Sequence, residues 1–224
     1  HLQKAPVKKR LRWPLWLALA FLPIFSLWLY LDLGAYPDWK IKQALNDLGN
    51  SETAQQYKKR QGQLKTLLQQ RIEKRSENIR YRLWLGQLAM TEKNIEQAVV
   101  HYRVLAELLP EDAQAKAYYA QALYLQSGRK MTGEVLALMQ QALVLDPYNT
   151  TVLGLQGIHG FETGDYALAA KSWRQLLKAL DPESEQAQLI AQGVKQAEDK
   201  MAETGQKPSQ SEGFSVALTL KINL

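Results

Sequence analysis

The chain has 224 residues, of which 46% are hydrophobic and 22% are charged, so it can bury a core and differs from disordered proteins. It contains no cysteine, which excludes disulfide bridges, thiolate zinc sites and covalent haem attachment to this chain. The net charge of +6 is concentrated in two short blocks rather than spread over one folded face. This distribution argues against nucleic-acid binding.

The amino-terminal end combines a basic segment with an apolar one. Residues 1–12 carry five cations, and residues 13–31 form an uncharged, strongly apolar run. At about 1.5 Å per residue, a helix of that length approaches the thickness of a bilayer's hydrocarbon core. We therefore expect a single transmembrane helix at 13–31. A buried core helix and a cleaved signal peptide are the alternatives, although the run is longer than most signal-peptide cores.

The charge asymmetry around this span predicts its direction. Five cations on the amino-terminal side favour a cytoplasmic location for residues 1–12, and the remainder is then periplasmic, attached to a bacterial inner membrane. Residues 32–78 are predicted to form periplasmic connecting helices. They contain most of a second basic block, Lys58–Arg82, which is either a solvated helix face or a docking site for anionic headgroups or an acidic partner.

Internal repeats are the main structural signal in the rest of the chain. Small residues recur at intervals of 34 and 37 residues, at Gly86, Ala120 and Gly157. A second set of small residues and a set of prolines keep a similar spacing: Ala98, Val135 and Ala169, then Pro110, Pro147 and Pro182. This pattern predicts three tetratricopeptide (TPR) repeats at 79–182, the middle one carrying a short insertion at 127–130.

The carboxy-terminal end contains two further segments. Residues 183–203 have one apolar stripe at helical spacing and are predicted to form a capping helix. Residues 204–224 combine a polar linker with the alternating stretch Phe214–Leu224, which predicts one β-strand at the start of a further, truncated domain. The predicted fold class is therefore all-α, a transmembrane helix followed by a TPR helical-repeat array with a capping helix, plus that single strand.

No catalytic or metal-binding pattern stands out. The two internal histidines, His101 and His159, have no second histidine or carboxylate at metal-ligand spacing, and a lone histidine in a repeat is far more often a packing or surface residue than a ligand. Nucleophile, zinc-protease and phosphate-loop motifs are absent from the sequence. We therefore expect a protein that is not an enzyme and that needs no metal and no cofactor.

A helical-repeat array offers a groove lined by the first helix of each hairpin. The repeat register predicts seven groove residues: Leu83, Gln87, Met90, Gln121, Tyr124, Ile158 and Phe161. The same register also includes Arg80, Gln114, Ala117, Thr151 and Gly154. Apolar, aromatic and amide side chains suit an amphipathic helix or an extended peptide. The alternative is that several of these residues simply pack between helices.

Four stretches resemble one protein family: Tyr81–Met90, the Leu123-Tyr124 pair, Ala142–Pro147 and Gly164–Leu177. They are similar to the CcmI/CycH subunit of the bacterial cytochrome c haem-lyase complex, and the apolar run is similar to the second transmembrane helix of that family. The family's first transmembrane helix has no counterpart in this sequence. A β-type periplasmic domain follows the repeats in such proteins, which accords with the predicted strand.

This resemblance implies a function and partners. Proteins of this type hold apocytochrome c in the periplasm and present it to membrane haem-lyase subunits (CcmF- and CcmH-like). The resemblance therefore implies a TPR chaperone and scaffold in cytochrome c maturation. The alternatives are an NrfG-like repeat subunit serving haem attachment to a nitrite-reductase cytochrome, and an envelope-assembly scaffold of an unrelated pathway.

Overall fold

The computed structural model describes residues 21–23, 25–27, 29 and 35–206. All regular elements within 35–206 are helices, and these form two compact units that divide between Ser76 and Glu77. The first unit contains α1 (Ala35–Gly49) and α2 (Ala54–Lys74). The second contains α3 (Ile79–Thr91), α4 (Ile95–Leu108), α5 (Ala113–Gln126), α6 (Gly133–Leu145), α7 (Thr150–Thr163), α8 (Tyr166–Leu177) and α9 (Glu185–Thr204).

Side-chain caps fix where the helices begin. Helices α2 to α9 each follow a residue whose side chain accepts a hydrogen bond from the backbone N–H three residues later. These caps are Thr53, Asn78, Asn94, Asp112, Thr132, Asn149, Asp165 and Ser184. Each such cap stabilises its helix by about 1 kcal/mol. Helices α7 and α9 end at Gly164 and Gly205, which adopt left-handed conformations with φ of 78° and 67°.

The first unit is an antiparallel hairpin held partly by its basic residues. Ile41 of α1 and two leucines of α2 are buried. Arg71 Nε lies 3.2 Å from Asp38 Oδ1, and Arg75 Nη1 lies 3.4 Å from Asp38 Oδ2. Part of the basic block therefore joins α2 to α1 rather than facing solvent.

The second unit is a stack of three helical hairpins, α3–α4, α5–α6 and α7–α8, with α9 packed against α8. Helix α5 also contacts α4 and α7, so successive hairpins share their packing surfaces. The buried side chains form a first core cluster from α3 to α7 and a second core cluster from α7 to α9. Half-buried Leu143 and Ile158 pack against both clusters.

Two glycines permit the closest helix crossings. A Cβ added to Gly86 would overlap the ring of Tyr102 on α4, and one added to Gly157 would overlap the ring of Trp173 on α8. Both rings are buried. Gly86 and Gly157 therefore lie where a large ring from the second helix of the hairpin crosses the first helix.

The predicted fold class is corrected to an all-helical, TPR-like fold. Among the described residues, none of the helices has both the length and the apolar character needed to cross a bilayer. Of the run predicted to span the membrane at 13–31, the structure describes residues 21–23, 25–27 and 29, and the rest of the run lies outside the described residues. No strand occurs in the described ranges, and the predicted strand at 214–224 lies outside them. A lone strand also has no partner to pair with.

Candidate peptide-binding groove

The seven predicted groove residues lie on the first helix of each hairpin. Leu83, Gln87 and Met90 are on α3, Gln121 and Tyr124 on α5, and Ile158 and Phe161 on α7. Helices α5 and α7 contact each other directly. The side chains of Leu83, Met90 and Ile158 all pack against the first core cluster. In a stack of hairpins the first helices line the inner surface, so this is the surface on which we expect these residues.

The accessibility of these residues divides them into two groups. Gln87 is exposed, and Leu83, Met90, Gln121, Ile158 and Phe161 are half-buried, so each of these six presents some surface. Tyr124 is only 1% exposed and belongs to the first core cluster. Its ring is therefore part of the packing between helices and offers a ligand almost no contact area.

The hydroxyl of Tyr124 has a specific partner. It donates a hydrogen bond to Glu162 Oε2 at 2.7 Å, and the other oxygen of Glu162 lies 3.8 Å from Arg129 Nη1. Burial raises the pKa of Tyr124 to about 12, with a further contribution from the Glu162 carboxylate. Arg129 belongs to the inserted segment of the middle repeat and has a φ of 65°. This contact ties the insertion and α5 to α7.

A second set of polar contacts joins α5 to the start of α7. Gln114 Nε2 donates to Thr151 Oγ1 at 2.9 Å, and Asn149 Nδ2 donates to Gln114 Oε1 at 2.9 Å. Asn149 is 2% exposed and also caps α7 through Val152 N. The amide of Gln114, which the repeat register places in the groove, is therefore used within the protein rather than offered to a peptide.

An aromatic cluster surrounds Phe161 near the other end of α7. Its ring lies edge-on to Tyr166 at 5.5 Å between centroids and is tilted against Trp173 at 5.8 Å. These contacts fix the orientation of a half-buried ring. Phe161 is therefore a half-buried ring held in place by its aromatic neighbours.

His101 lies on α4, the second helix of the first hairpin. Arg82 Nη1 is 3.3 Å from His101 Nδ1, so the guanidinium donates to a neutral imidazole that carries its proton on Nε2. Burial lowers the pKa of His101 to about 4, and the charge of Arg82 contributes in the same direction. The imidazole is thus a neutral packing and hydrogen-bonding group near pH 7.

Sequence reasoning missed three residues that shape this face: Arg129, Asn149 and Glu162. Asn149 had a detectable signal, because Asn followed by a helical pattern predicts an N-cap. The partner of Glu162 is 38 residues away in the chain, and the repeat spacing does not specify such pairs.

The part of the chain that forms the hairpins matches a known protein family. The model of the family described as "Cytochrome c-type biogenesis protein H TPR domain" matches residues 41–187, a range that includes all three hairpins. The chain belongs to this family. The resemblance of the sequence to CcmI/CycH proteins is therefore confirmed, and the protein is a TPR protein of cytochrome c biogenesis.

Two individual relatives of this TPR protein also support a place in cytochrome systems. It is 30% identical over 210 residues to the cytochrome c-type biogenesis protein CycH of Pseudomonas aeruginosa, a match covering 92% of the chain and 49% of CycH. It is 28% identical over 123 residues to the formate-dependent nitrite reductase complex subunit NrfG of Escherichia coli O157:H7, covering 55% of the chain and 62% of NrfG. The chain thus spans about half the length of CycH and less than two thirds of NrfG.

A solved structure of MamA shares the fold with this family member. The TM-score is 0.50 over 77% of the chain and 98% of MamA, at 12% sequence identity. At that identity the likeness concerns the fold alone.

Proposed function

We propose that this TPR protein is a non-catalytic chaperone and scaffold that binds apocytochrome c and presents it to haem-lyase subunits (CcmF- and CcmH-like). The observation that carries this proposal is the family match across residues 41–187, which includes every predicted groove residue. The proposed site for the client is the face bordered by α3, α5 and α7.

The chemistry of that face supports a peptide ligand. Leu83, Met90 and Ile158 each combine a partly exposed apolar surface with packing on the first core cluster, which holds them in place. Exposed Gln87 and half-buried Gln121 add amide groups able to bond a peptide backbone. Fixed apolar anchors beside a few amides suit the apolar face of an amphipathic helix.

The test is calorimetric titration of the purified chain with apocytochrome c, using the haem-loaded cytochrome for comparison. We expect the apo form to bind and the folded, haem-loaded form to bind far more weakly, because folding buries its apolar faces. A Leu83→Ala/Met90→Ala variant should lose more than tenfold in affinity, since truncating a groove anchor typically costs about 2 kcal/mol. Val100→Ala, which changes an exposed residue on α4, is the matched control.

Salt dependence provides a second readout in the same experiment. Binding through apolar burial should change little between low and high ionic strength, whereas docking on the exposed cations of Lys58–Arg82 should weaken steeply. If affinity depends strongly on salt and the Leu83→Ala/Met90→Ala variant binds as tightly as the unsubstituted chain, the client binds the basic segment. That result would contradict the proposed groove site.

An NrfG-like role is the second candidate, and the 28% identity to that nitrite reductase complex subunit favours it. The two candidates differ in their client. Titration with apocytochrome c and with an unfolded nitrite-reductase cytochrome would separate them, because the true client should retain the higher affinity at equal ionic strength. Selective binding of the nitrite-reductase cytochrome would replace the first proposal.

We further propose that the repeats work in the periplasm, where a client of this kind is held. The basis is the family to which the repeats belong. Protease added to spheroplasts should digest the repeats in cells that make the full-length protein. Protection of the repeats, with a periplasmic marker digested in the same sample, would contradict this location.

A further inference from the structure

The third hairpin carries a cleft that is separate from the groove. It lies between the loop joining α6 to α7 and helix α8, has a volume of about 400 Å³, and is lined by Tyr148, Lys171, Arg174, Gln175 and Lys178. Gln175 Nε2 donates to the carbonyl oxygen of Pro147 at 2.9 Å, which holds the loop against the helix. The cleft is built on the second helix of its hairpin, whereas the groove residues lie on first helices.

The lining of this cleft is positively charged. Lys171, Arg174 and Lys178 recur at spacings of three and four residues, so they share one face of α8 and repel one another. None of the lining residues is acidic. Arg174 pairs with Glu198 of α9, whereas the ammonium groups of Lys171 and Lys178 make no ion pair or hydrogen bond with the part of the chain that the structure describes.

The dipole of α8 explains the positions of only some of these cations. Cations near the last turn of a helix interact favourably with its dipole, which accounts for Arg174 and Lys178. Lys171 lies in the middle of α8, where the dipole offers no such gain. Two ammonium groups that have no partner among the described residues, around one concave surface, therefore create a positive potential that an anionic ligand would neutralise.

Apolar side chains are exposed in the loop that borders the cleft and in the last residues of α6 before it. Tyr148 is 61% exposed, and Val144 and Leu145, at the end of α6 just before the loop, are 77% and 41% exposed. Three exposed large apolar residues within five positions are costly in water unless a partner covers them. Tyrosine and arginine are also among the residues most enriched at the centres of protein interfaces.

We propose that this cleft binds an acidic segment of a partner protein, with an apolar side chain of that segment resting on Tyr148. The backbone positions of Lys171 and Lys178 are about 10 Å apart, because seven residues of α-helix rise about 1.5 Å each. Two carboxylates three residues apart in a polyproline II segment match that separation, because such a segment rises about 3.1 Å per residue and has three residues per turn, so that both carboxylates face the cleft. The ligand is therefore an extended segment of the pattern acidic–apolar–any–acidic.

This cleft and the groove can be occupied together, since they lie on different helices of the repeats. A partner held in the cleft would leave the inner face of α3, α5 and α7 available for a client. The cleft proposal does not depend on the identity of that client.

The test uses the purified chain and fluorescein-labelled ten-residue peptides in anisotropy titrations. Each peptide carries two glutamates and one leucine, and the spacing of the glutamates runs from one to seven residues. We expect the tightest binding at a spacing of three. A Lys171→Glu/Lys178→Glu variant should lose roughly tenfold in affinity, because two exposed ion pairs are replaced by repulsion. Tyr148→Ala should also weaken binding, and Tyr148→Phe should preserve it.

The control is Lys195→Glu, a charge reversal at an exposed position of α9 that does not line the cleft, compared with Lys171→Glu and Lys178→Glu made singly so that the net charge is matched. The effect of Lys195→Glu should be small, and the Leu83→Ala/Met90→Ala groove variant should bind the acidic peptides normally. Equal losses for Lys195→Glu and the single cleft variants, or no preference for glutamate spacing, would overturn the proposal. Binding to phosphatidylglycerol vesicles through Lys171 and Lys178, without binding to any peptide, would also overturn it by assigning the cleft to a lipid surface.

Discussion

The ring of Trp173 occupies the space that a side chain on Gly157 would need. The two residues belong to α7 and α8, and the absence of a Cβ lets these helices cross in direct contact. The same relationship joins Gly86 and Tyr102 in the first hairpin. These crossings make the glycines of the repeat structural requirements rather than turn residues.

Gly157→Ala should destabilise the protein by roughly 1–3 kcal/mol, because the added methyl group overpacks a rigid indole in a close crossing. The measurement is the urea midpoint of the purified chain. Gly154→Ala is a control on the same helix, since a Cβ there meets only Leu176 Cδ2 at 3.9 Å. The free energy of unfolding of that variant should be unchanged or should rise by up to about 1 kcal/mol, because alanine has a higher helix propensity than glycine. Equal effects of both substitutions would contradict the crossing geometry.

Tyr119→Phe should reduce stability by about 1 kcal/mol, the usual net value of a lost hydrogen bond. The hydroxyl of Tyr119 accepts from Arg103 Nε at 3.0 Å and donates to Glu134 Oε1 at 3.0 Å, which links α4, α5 and α6. Tyr118→Phe is the neighbouring control, because the hydroxyl of Tyr118 has no hydrogen bond among the described residues. Chemical denaturation of the two variants should therefore differ, and coincident curves would argue against this link.

Stability should depend on the titration of His101 at mildly acidic pH. Its pKa is about 4 in the folded chain, against an ordinary value of 6.5 when unfolded. Between these values the unfolded chain binds the proton more readily, so this contribution to stability is complete above about pH 6.5 and is lost as pH falls toward 4. His101→Gln removes that proton uptake.

Urea midpoints should be measured at pH 7, 5.5 and 4.5. As the pH falls, the midpoint of His101→Gln should rise relative to that of the unsubstituted chain. Comparing the variant with the unsubstituted chain at each pH cancels the carboxylates that titrate in the same window. A stability difference that stays constant across the three pH values would show that the pKa of His101 is not lowered.

Tyr124→Phe should lower stability by about 1 kcal/mol while leaving affinity for apocytochrome c within about twofold, because the ring is buried and only its bond to Glu162 is removed. Melting and calorimetric titration of one preparation provide both quantities. A tenfold loss of affinity without a loss of stability would instead make the Tyr124 hydroxyl a ligand group of the groove.

The sequence predicted the parts of this fold that follow from spacing. Small residues at intervals of 34 and 37 identified the crossings at Gly86 and Gly157, because a repeat places equivalent residues in equivalent packing environments. The same register placed the groove candidates on first helices. It could not distinguish the buried Tyr124 from the half-buried Met90, since both positions face the same side of the repeat.

The contacts between repeats could not be predicted from the sequence, for a physical reason. Gln114–Thr151 and Tyr124–Glu162 join residues 37 and 38 positions apart, and each depends on the rotation of one hairpin against the next. The spacing of small residues determines which face of a helix is buried but leaves that rotation undetermined. Alternation at the carboxy-terminal end likewise indicated a strand without supplying any partner strand.

The core of the repeat stack is divided into two clusters, and half-buried Leu143 and Ile158 are in contact with both. Cooperativity in stacked hairpins passes through contacts between neighbours, so a narrow junction allows one end to open while the other stays folded. Hydrogen exchange of α8 and α9 would then be faster than that of α4 and α5. A client held against both Met90 and Phe161 would lose its second anchor at each opening, so the opening rate of the last hairpin would limit how long the client stays bound.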